Sequence, residues 1–229
     1  MNRLILTLIA SLVAPLALAA DAPASQPSTK DSLHATVEPG PYWNVVRTEQ
    51  FGIAVPQKWA NLPPRTNMVL FIAKQGIKDE TRQPLDVGLS VERLTKATDS
   101  LEDEANRLID RYKKEKSVTI EGKPKTEHLK LADGHDSLLL SLSLVGNNRR
   151  TYMQKLLVSG PDHRWAVSAY VSAGDQSILP KPDSDMSKKL RAHLESFTLD
   201  ANKLNLDGLL RAYLAPPQMP EPSSQPSGK

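Results

Sequence analysis

Apolar residues recur along this chain with two different periods, and the change from one to the other marks out the elements. Phe51, Ile53 and Val55 alternate with Gly52 and Ala54, the period of two that a strand requires. Pro56 has no N–H to give to a ladder and ends that strand, and Trp59 is placed to fold back over the end of the core. The pattern predicts one sheet assembled around this strand, with helices packed against it. Residues 42–49 read as a strand before it. The run Met68-Val69-Leu70-Phe71-Ile72-Ala73 is continuous, as in a strand covered on both faces. In residues 86–94 Val87, Leu89 and Val91 alternate with Asp86, Gly88, Ser90 and Glu92.

The period then lengthens. Leu101, Ala105, Leu108, Ile109 and Tyr112 form one stripe of an amphipathic helix. Asp99 or Ser100 can cap it, with an acidic residue three positions on. Glu102, Asp103 and Glu104 at its start and Arg111, Lys113 and Lys114 at its end complement the helix dipole. Strands follow at Val118 and Ile120, at residues 128–131 beyond Gly122 and Pro124, and at 138–144, 149–159 and 163–172. The turn signals Asp133-Gly134, Gly146-Asn147-Asn148 and Gly160-Pro161-Asp162 separate them, so the connections are tight and predict an antiparallel meander. A second helix starts near Asp183 or Ser184, with Met186, Leu190, Leu194 and Phe197 on one face. A third spans residues 204–214, with Leu206, Leu209, Leu210 and Leu214 apolar, and the sequence leaves its docking open.

The two ends are different. Residues 1–19 have a basic start at Arg3, an apolar run from Leu4 to Leu18 and the small-x-small site Ala17-Leu18-Ala19, which together predict a cleaved export signal. The run is too short to span a bilayer, for which about 20 apolar residues are needed. No cysteine follows it, which excludes a lipid anchor, and the predicted address is periplasmic or secreted. Residues 20–41 read as a flexible leader and 216–229 as a disordered Pro/Ser-rich tail, because neither contains core formers. The domain is expected over 42–199, with the third helix inside 200–215.

Composition removes whole classes of chemistry. The chain has no cysteine, so disulfides, thiolate metal sites and thiol nucleophiles are absent together. The formal charge of +3 is too small to suggest nucleic acid, which a clustered basic face would recognise. No Walker loop, His-Glu-x-x-His, Gly-x-Ser-x-Gly or Ser-x-x-Lys occurs.

The Phe51-x-Ile53-x-Val55-Pro56-x-x-Trp59 opening and the closing Glu195-Ser196-Phe197 resemble the PsbP-like family (the PsbP/DcrB-like fold). So does the order of strands, one amphipathic helix, meander and final helix. The resemblance covers residues 42–199. It implies an α+β fold, a central antiparallel sheet flanked by helices as an α-β-α sandwich. It also implies an accessory, assembly or chaperone-like role rather than catalysis, and it carries over no metal motif and no cofactor.

Three groups of residues remain as candidate chemistry. Asp133, His135 and Asp136, with His128 upstream, have side chains that zinc or a hard cation accepts, but a polar hairpin turn next to a strand is the favoured explanation of them. Lys113, Lys114, Arg149 and Arg150 could form a patch for an anionic partner. Trp59 and Leu62 could wall a pocket for a small apolar or lipid-like ligand under the loop of residues 61–67. The sequence therefore predicts a non-enzymatic exported protein that binds an envelope protein through a sheet edge or the groove between sheet and helix. A small-ligand binder is the alternative, and a hydrolase ranks last.

Overall fold

The computed structural model describes residues 35–63, 68–78, 84–94, 100–174 and 181–214. The predicted export signal, most of the leader, the Pro/Ser-rich tail and residues 64–67 of the predicted pocket loop lie outside them. Among the described residues ten strands and three helices make an α+β fold, in the order β1 (Thr36–Pro39), β2 (Trp43–Arg47), β3 (Gly52–Pro56), β4 (Ala60–Asn61), β5 (Met68–Lys78), β6 (Pro84–Leu94), α1 (Leu101–Lys114), β7 (Val118–Lys130), β8 (Asp136–Gly146), β9 (Arg149–Ser159), β10 (Arg164–Ala173), α2 (Asp185–Glu195) and α3 (Asp207–Leu214).

Two sheets form where the sequence suggested one. The larger has the order β4-β5-β6-β10-β9-β8-β7, with every pairing antiparallel; the smaller is β1-β2-β3. The strand of Phe51, Ile53 and Val55 belongs to the smaller sheet and packs face-on against the larger one. That explains why it is buried along its whole length rather than on alternate residues. The end of the predicted flexible leader is also ordered. Thr36–Pro39 pairs with β2 through its backbone while its side chains stay exposed, so hydropathy gave no sign of it. Glu38 adds an ion pair with Arg47 at 3.1 Å.

The period-two patterns decide what each face of the large sheet meets. Val87, Leu89, Val91, Leu139, Leu156, Trp165, Val167, Ala169 and Val171 point to one side, where they form a single core with Phe51, just before β3, Ile53 and Val55 of β3, and Leu190, Leu194 and Phe197 of the α2 region. At its centre Phe51 stacks on Phe197 at 5.5 Å and tilts against Trp165 at 5.3 Å. On the other side Leu138, Leu140, Leu142 and Leu144 meet Ala105, Leu108 and Tyr112 of α1. The Ser100–Asp103 capping box holds the start of that helix. The turn at Asn147 and Asn148 has φ of 50° and 58°, the left-handed geometry a two-residue hairpin needs and asparagine tolerates. The β7 segments that Gly122 and Pro124 divide in the sequence are one strand with a register shift between Glu121 and Lys125.

The outer edge of β3 is closed by polar groups from the chain around α2. Gly52 and Thr198 exchange two backbone hydrogen bonds, and Ala54 N–H donates to Ser196 Oγ at 3.0 Å. The Ala54 carbonyl accepts from His193 Nδ1 at 2.9 Å, which leaves Nε2 of the neutral ring to accept from Tyr213 O–H at 2.8 Å. This contact docks α3, whose Leu209 is fully buried against Trp43, Val45 and Ala54. Tyr213 also meets Trp43 edge-on at 5.6 Å.

Burial pushes the His193 imidazole down to about 4, a fall that the Ala54 carbonyl only partly opposes. An unfolded histidine titrates near 6.5, so between these values the unfolded chain takes up a proton the folded one refuses. The resulting contribution to stability is complete above pH 6.5 and is lost as pH falls toward 4, by about 3 kcal/mol in all. Urea unfolding of His193→Gln from pH 7 to pH 5 should show a flatter pH dependence than the parent. Equal slopes would refute this assignment.

Candidate functional site

The face of the large sheet that meets α1 is longer and wider than the helix. Fourteen residues of helix reach about 21 Å, whereas an eleven-residue strand extends about 36 Å. The helix packs on β7, β8 and β9, so the inner faces of β10 and β6 lie beside it. There the strand register sets side chains in rows. One row runs Leu140, Lys155, Ser168, Ser90, Phe71 from β8 across to β5. The next runs Leu142, Met153, Tyr170, Gly88, Ala73, and beyond it come Leu144, Thr151, Ser172 and Asp86. Before the first row stands Ala166 beside Glu92.

Small and polar residues therefore occupy the middle columns, with large side chains around them. The result is a partly open cleft of about 70 Å³, with Phe71, Tyr112, Val118, Leu144 and Met153 as apolar walls. Its floor is Asp86, Ser90, Ser168, Tyr170 and Ser172, with Glu92, Arg149, Thr151 and Lys155 beside it. Gly88 is part of the construction: a Cβ there would stand 2.3 Å from Tyr170 Cε1, so only glycine lets that ring lie on the sheet.

Tyr170 divides the polar floor into two ends of different character. At one end Arg149 bonds Asp86 and also donates to Ser172 at 3.1 Å. Thr151 and Ser172 share a hydrogen bond of 2.9 Å, and Asp86 accepts from Gly76 N–H. This end is satisfied by the protein itself. At the other end the Lys155 side chain is 95% buried, yet among the described residues its Nζ has one ionic partner, Glu92 Oε1 at 3.6 Å, beyond hydrogen-bond reach. Ser168 Oγ beside it is buried and has no hydrogen-bond partner among the described residues. Tyr112 reaches Met153 Sδ at 3.6 Å from above, and burial, with the charge of Glu92, raises its hydroxyl pKa above the usual tyrosine value.

The residues singled out in the sequence are placed elsewhere or apart. Trp59 is half-buried against the opposite core, and Leu62 donates its N–H to the Phe71 carbonyl; neither lines the cleft. The four basic residues do not form a patch. Arg149 points into the cleft, whereas its neighbour Arg150 lies on the opposite face of the strand and pairs with Glu121. Lys113 pairs with Asp110, and Lys114 is exposed.

Asp133, His135 and Asp136 form a structural turn. One oxygen of Asp133 accepts from Thr198 Oγ1 at 2.7 Å, Leu199 N at 2.6 Å and Asp200 N at 3.2 Å, and the other from His135 N at 3.1 Å. Burial would raise this carboxyl, but the Thr198, His135 and Leu199 bonds outweigh it and hold it well below the usual range. His128 is bound instead to Glu102, at 3.0 Å. Among the described residues no three His, Asp or Glu side chains gather as a metal set. The carboxylate of Asp133 thus pins the β7–β8 turn to the chain leaving α2.

No protein-family model and no curated protein matches this chain. Among solved structures it is similar to PA94, a Pseudomonas aeruginosa protein of unknown function, over 65% of this chain and 99% of that one, at 13% identity and a TM-score of 0.35. It is also similar to LpqN of Mycobacterium tuberculosis, involved in cell envelope biogenesis, over 63% of this chain and 75% of that one, at 14% identity and a TM-score of 0.36.

The Asp133 clamp gives a direct expectation. Asp133→Asn replaces an acceptor-only group by one that turns donors toward donors, and should cost about 2–3 kcal/mol at pH 7. Because the folded carboxyl is held low, the parent keeps this contribution above pH 4 and loses it as pH falls further. The difference between the two proteins in urea unfolding should therefore shrink below pH 4. A variant as stable as the parent at pH 7 would contradict the clamp.

Proposed function

We propose that this is a non-enzymatic exported accessory protein that works by binding, and that the cleft between α1 and the large sheet is where it binds. The observation that carries the reading is the buried Lys155 and the Ser168 hydroxyl, which has no hydrogen-bond partner among the described residues, on a face whose opposite side along β10 is the apolar series Trp165, Val167, Ala169 and Val171. Polar groups left unsatisfied in a buried position cost stability, and a bound molecule that supplies their partners removes that cost. The apolar walls favour a small amphipathic ligand. Export is supported by the basic start, apolar run and small-x-small site of residues 1–19, and an accessory role by the PsbP-like resemblance.

Two further features favour binding over catalysis and the cleft over the sheet edges. Lys155 Nζ makes no hydrogen bond to Ser168 Oγ, the contact a serine–lysine nucleophile pair would need, and among the described residues no histidine lines the cleft. Of the large sheet's edges, β7 carries a register shift, Pro124 and the exposed Lys123, Lys125 and Lys130, all of which discourage an added strand.

Solvent extraction of protein purified from its native envelope, read by mass spectrometry, tests the proposal. The parent should release one class of molecule in near-stoichiometric amount, and Ser168→Phe, which fills the floor, should release little while keeping the parent's circular dichroism. An extract free of any such molecule, from a protein that instead crosslinks to one partner through β1 or β7, would overturn it.

A further inference from the structure

The chemistry of the unsatisfied end of the cleft specifies what kind of head the ligand presents, an inference that rests on the binding role of the cleft. Among the described residues four charged side chains line the cleft, two of each sign: Asp86 with Arg149, and Glu92 with Lys155. The first pair is closed on itself and on Ser172. The second is open, because its 3.6 Å separation supplies charge balance without a hydrogen bond. Lys155 there offers N–H donors, Glu92 offers acceptor sites, and Ser168 Oγ can act as either.

We infer that the cleft selects an amphiphile whose head is electrically neutral and carries both a hydrogen-bond donor and an acceptor, as the hydroxyls of a polyol or sugar do. A carboxylate or phosphate head drawn to Lys155 would lie beside the Glu92 carboxylate, two anions sharing one ammonium in a partly desolvated site. An ammonium head drawn to Glu92 would meet Lys155. A hydroxyl adds no charge: its oxygen accepts from Lys155 Nζ, its O–H donates a hydrogen bond to the Glu92 carboxylate, and a second hydroxyl on the adjacent carbon serves Ser168. It also offers what a water molecule would offer there, so entry of the head sacrifices no hydrogen bond. The tail lies along Met153, Leu144 and Phe71, where burial of each methylene group favours binding.

Three probes of equal chain length and different heads separate the terms: 1-octanoylglycerol, octanoate and octylammonium, each titrated calorimetrically below its aggregation concentration at pH 7. Octanoylglycerol should bind at least tenfold more tightly than either ion. Ser168→Ala, which removes one hydroxyl and leaves the fold, should weaken octanoylglycerol several-fold and leave the two ions unchanged. Lys155→Met together with Glu92→Gln, a double change that strands neither charge, should abolish the preference among heads. Octanoate or octylammonium binding as tightly as octanoylglycerol would overturn the neutral-head inference while leaving the cleft as a binding site. Absence of binding by all three to folded protein would overturn the cleft reading itself.

Discussion

The packing of Phe51 on Phe197 against Trp165 is the contact on which the rest of the structure depends. These three rings come from the residue leading into β3 of the small sheet, the chain just beyond α2 and the large sheet, so one cluster fastens three separate parts. Around it lie the most completely buried apolar side chains of β6, β10 and β9. Aromatic residues of this size contribute several kcal/mol each when buried. Most of the apolar burial that holds the two sheets together is therefore concentrated on one face of the large sheet.

That concentration frees the other face. Strands β6 and β10 alternate strictly, and while one set of their side chains is Val87, Leu89, Val91, Trp165, Val167 and Val171, the alternate set is Asp86, Gly88, Ser90, Glu92, Ser168, Tyr170 and Ser172. A helix of fourteen residues covers the Leu-lined β8 and stops short of the polar columns. The cleft follows from this division: a face that is apolar along β6 and β10 provides the stability, and a polar, under-filled face is available for a ligand. The polar clamps at Asp133 and His193 belong to the first of these tasks, since they fix the chain leaving α2, and with it α3, onto the small sheet.

Much of this was legible in the sequence where local patterns decide the outcome. The α1 stripe, its Ser100 cap and the Asn147-Asn148 turn are local, and the structure has them where the residues predict. The separation into two sheets was not legible, because Phe51, Ile53 and Val55 alternate alike in an edge strand or in a strand packed face-on. Thr36–Pro39 escaped because its strand is made by backbone pairing with exposed side chains. The cleft residues escaped for another reason. Lys155 and Ser168 are neighbours in the meander, but Ser90 is distant in sequence and joins them only because β10 also pairs with β6 on its other side. A signal did exist in the serines at 168 and 172 and the Asp86, Gly88, Ser90 and Glu92 series, since a polar face on two strands at the centre of a sheet is unusual. It is less conspicuous than the turn at Asp133 and the basic pair Arg149 and Arg150, whose charges go into a local clamp and into ion pairs with Asp86 and Glu121.

The most direct test of the division between the two faces is methyl and amide NMR of the protein titrated with lipid extracted from its own envelope. The account predicts shifts confined to Leu144, Met153, Ser168 and Tyr170 and their neighbours, with Phe51, Trp165 and Phe197 unmoved. Shifts concentrated at β1 or along β7, with the cleft silent, would contradict it.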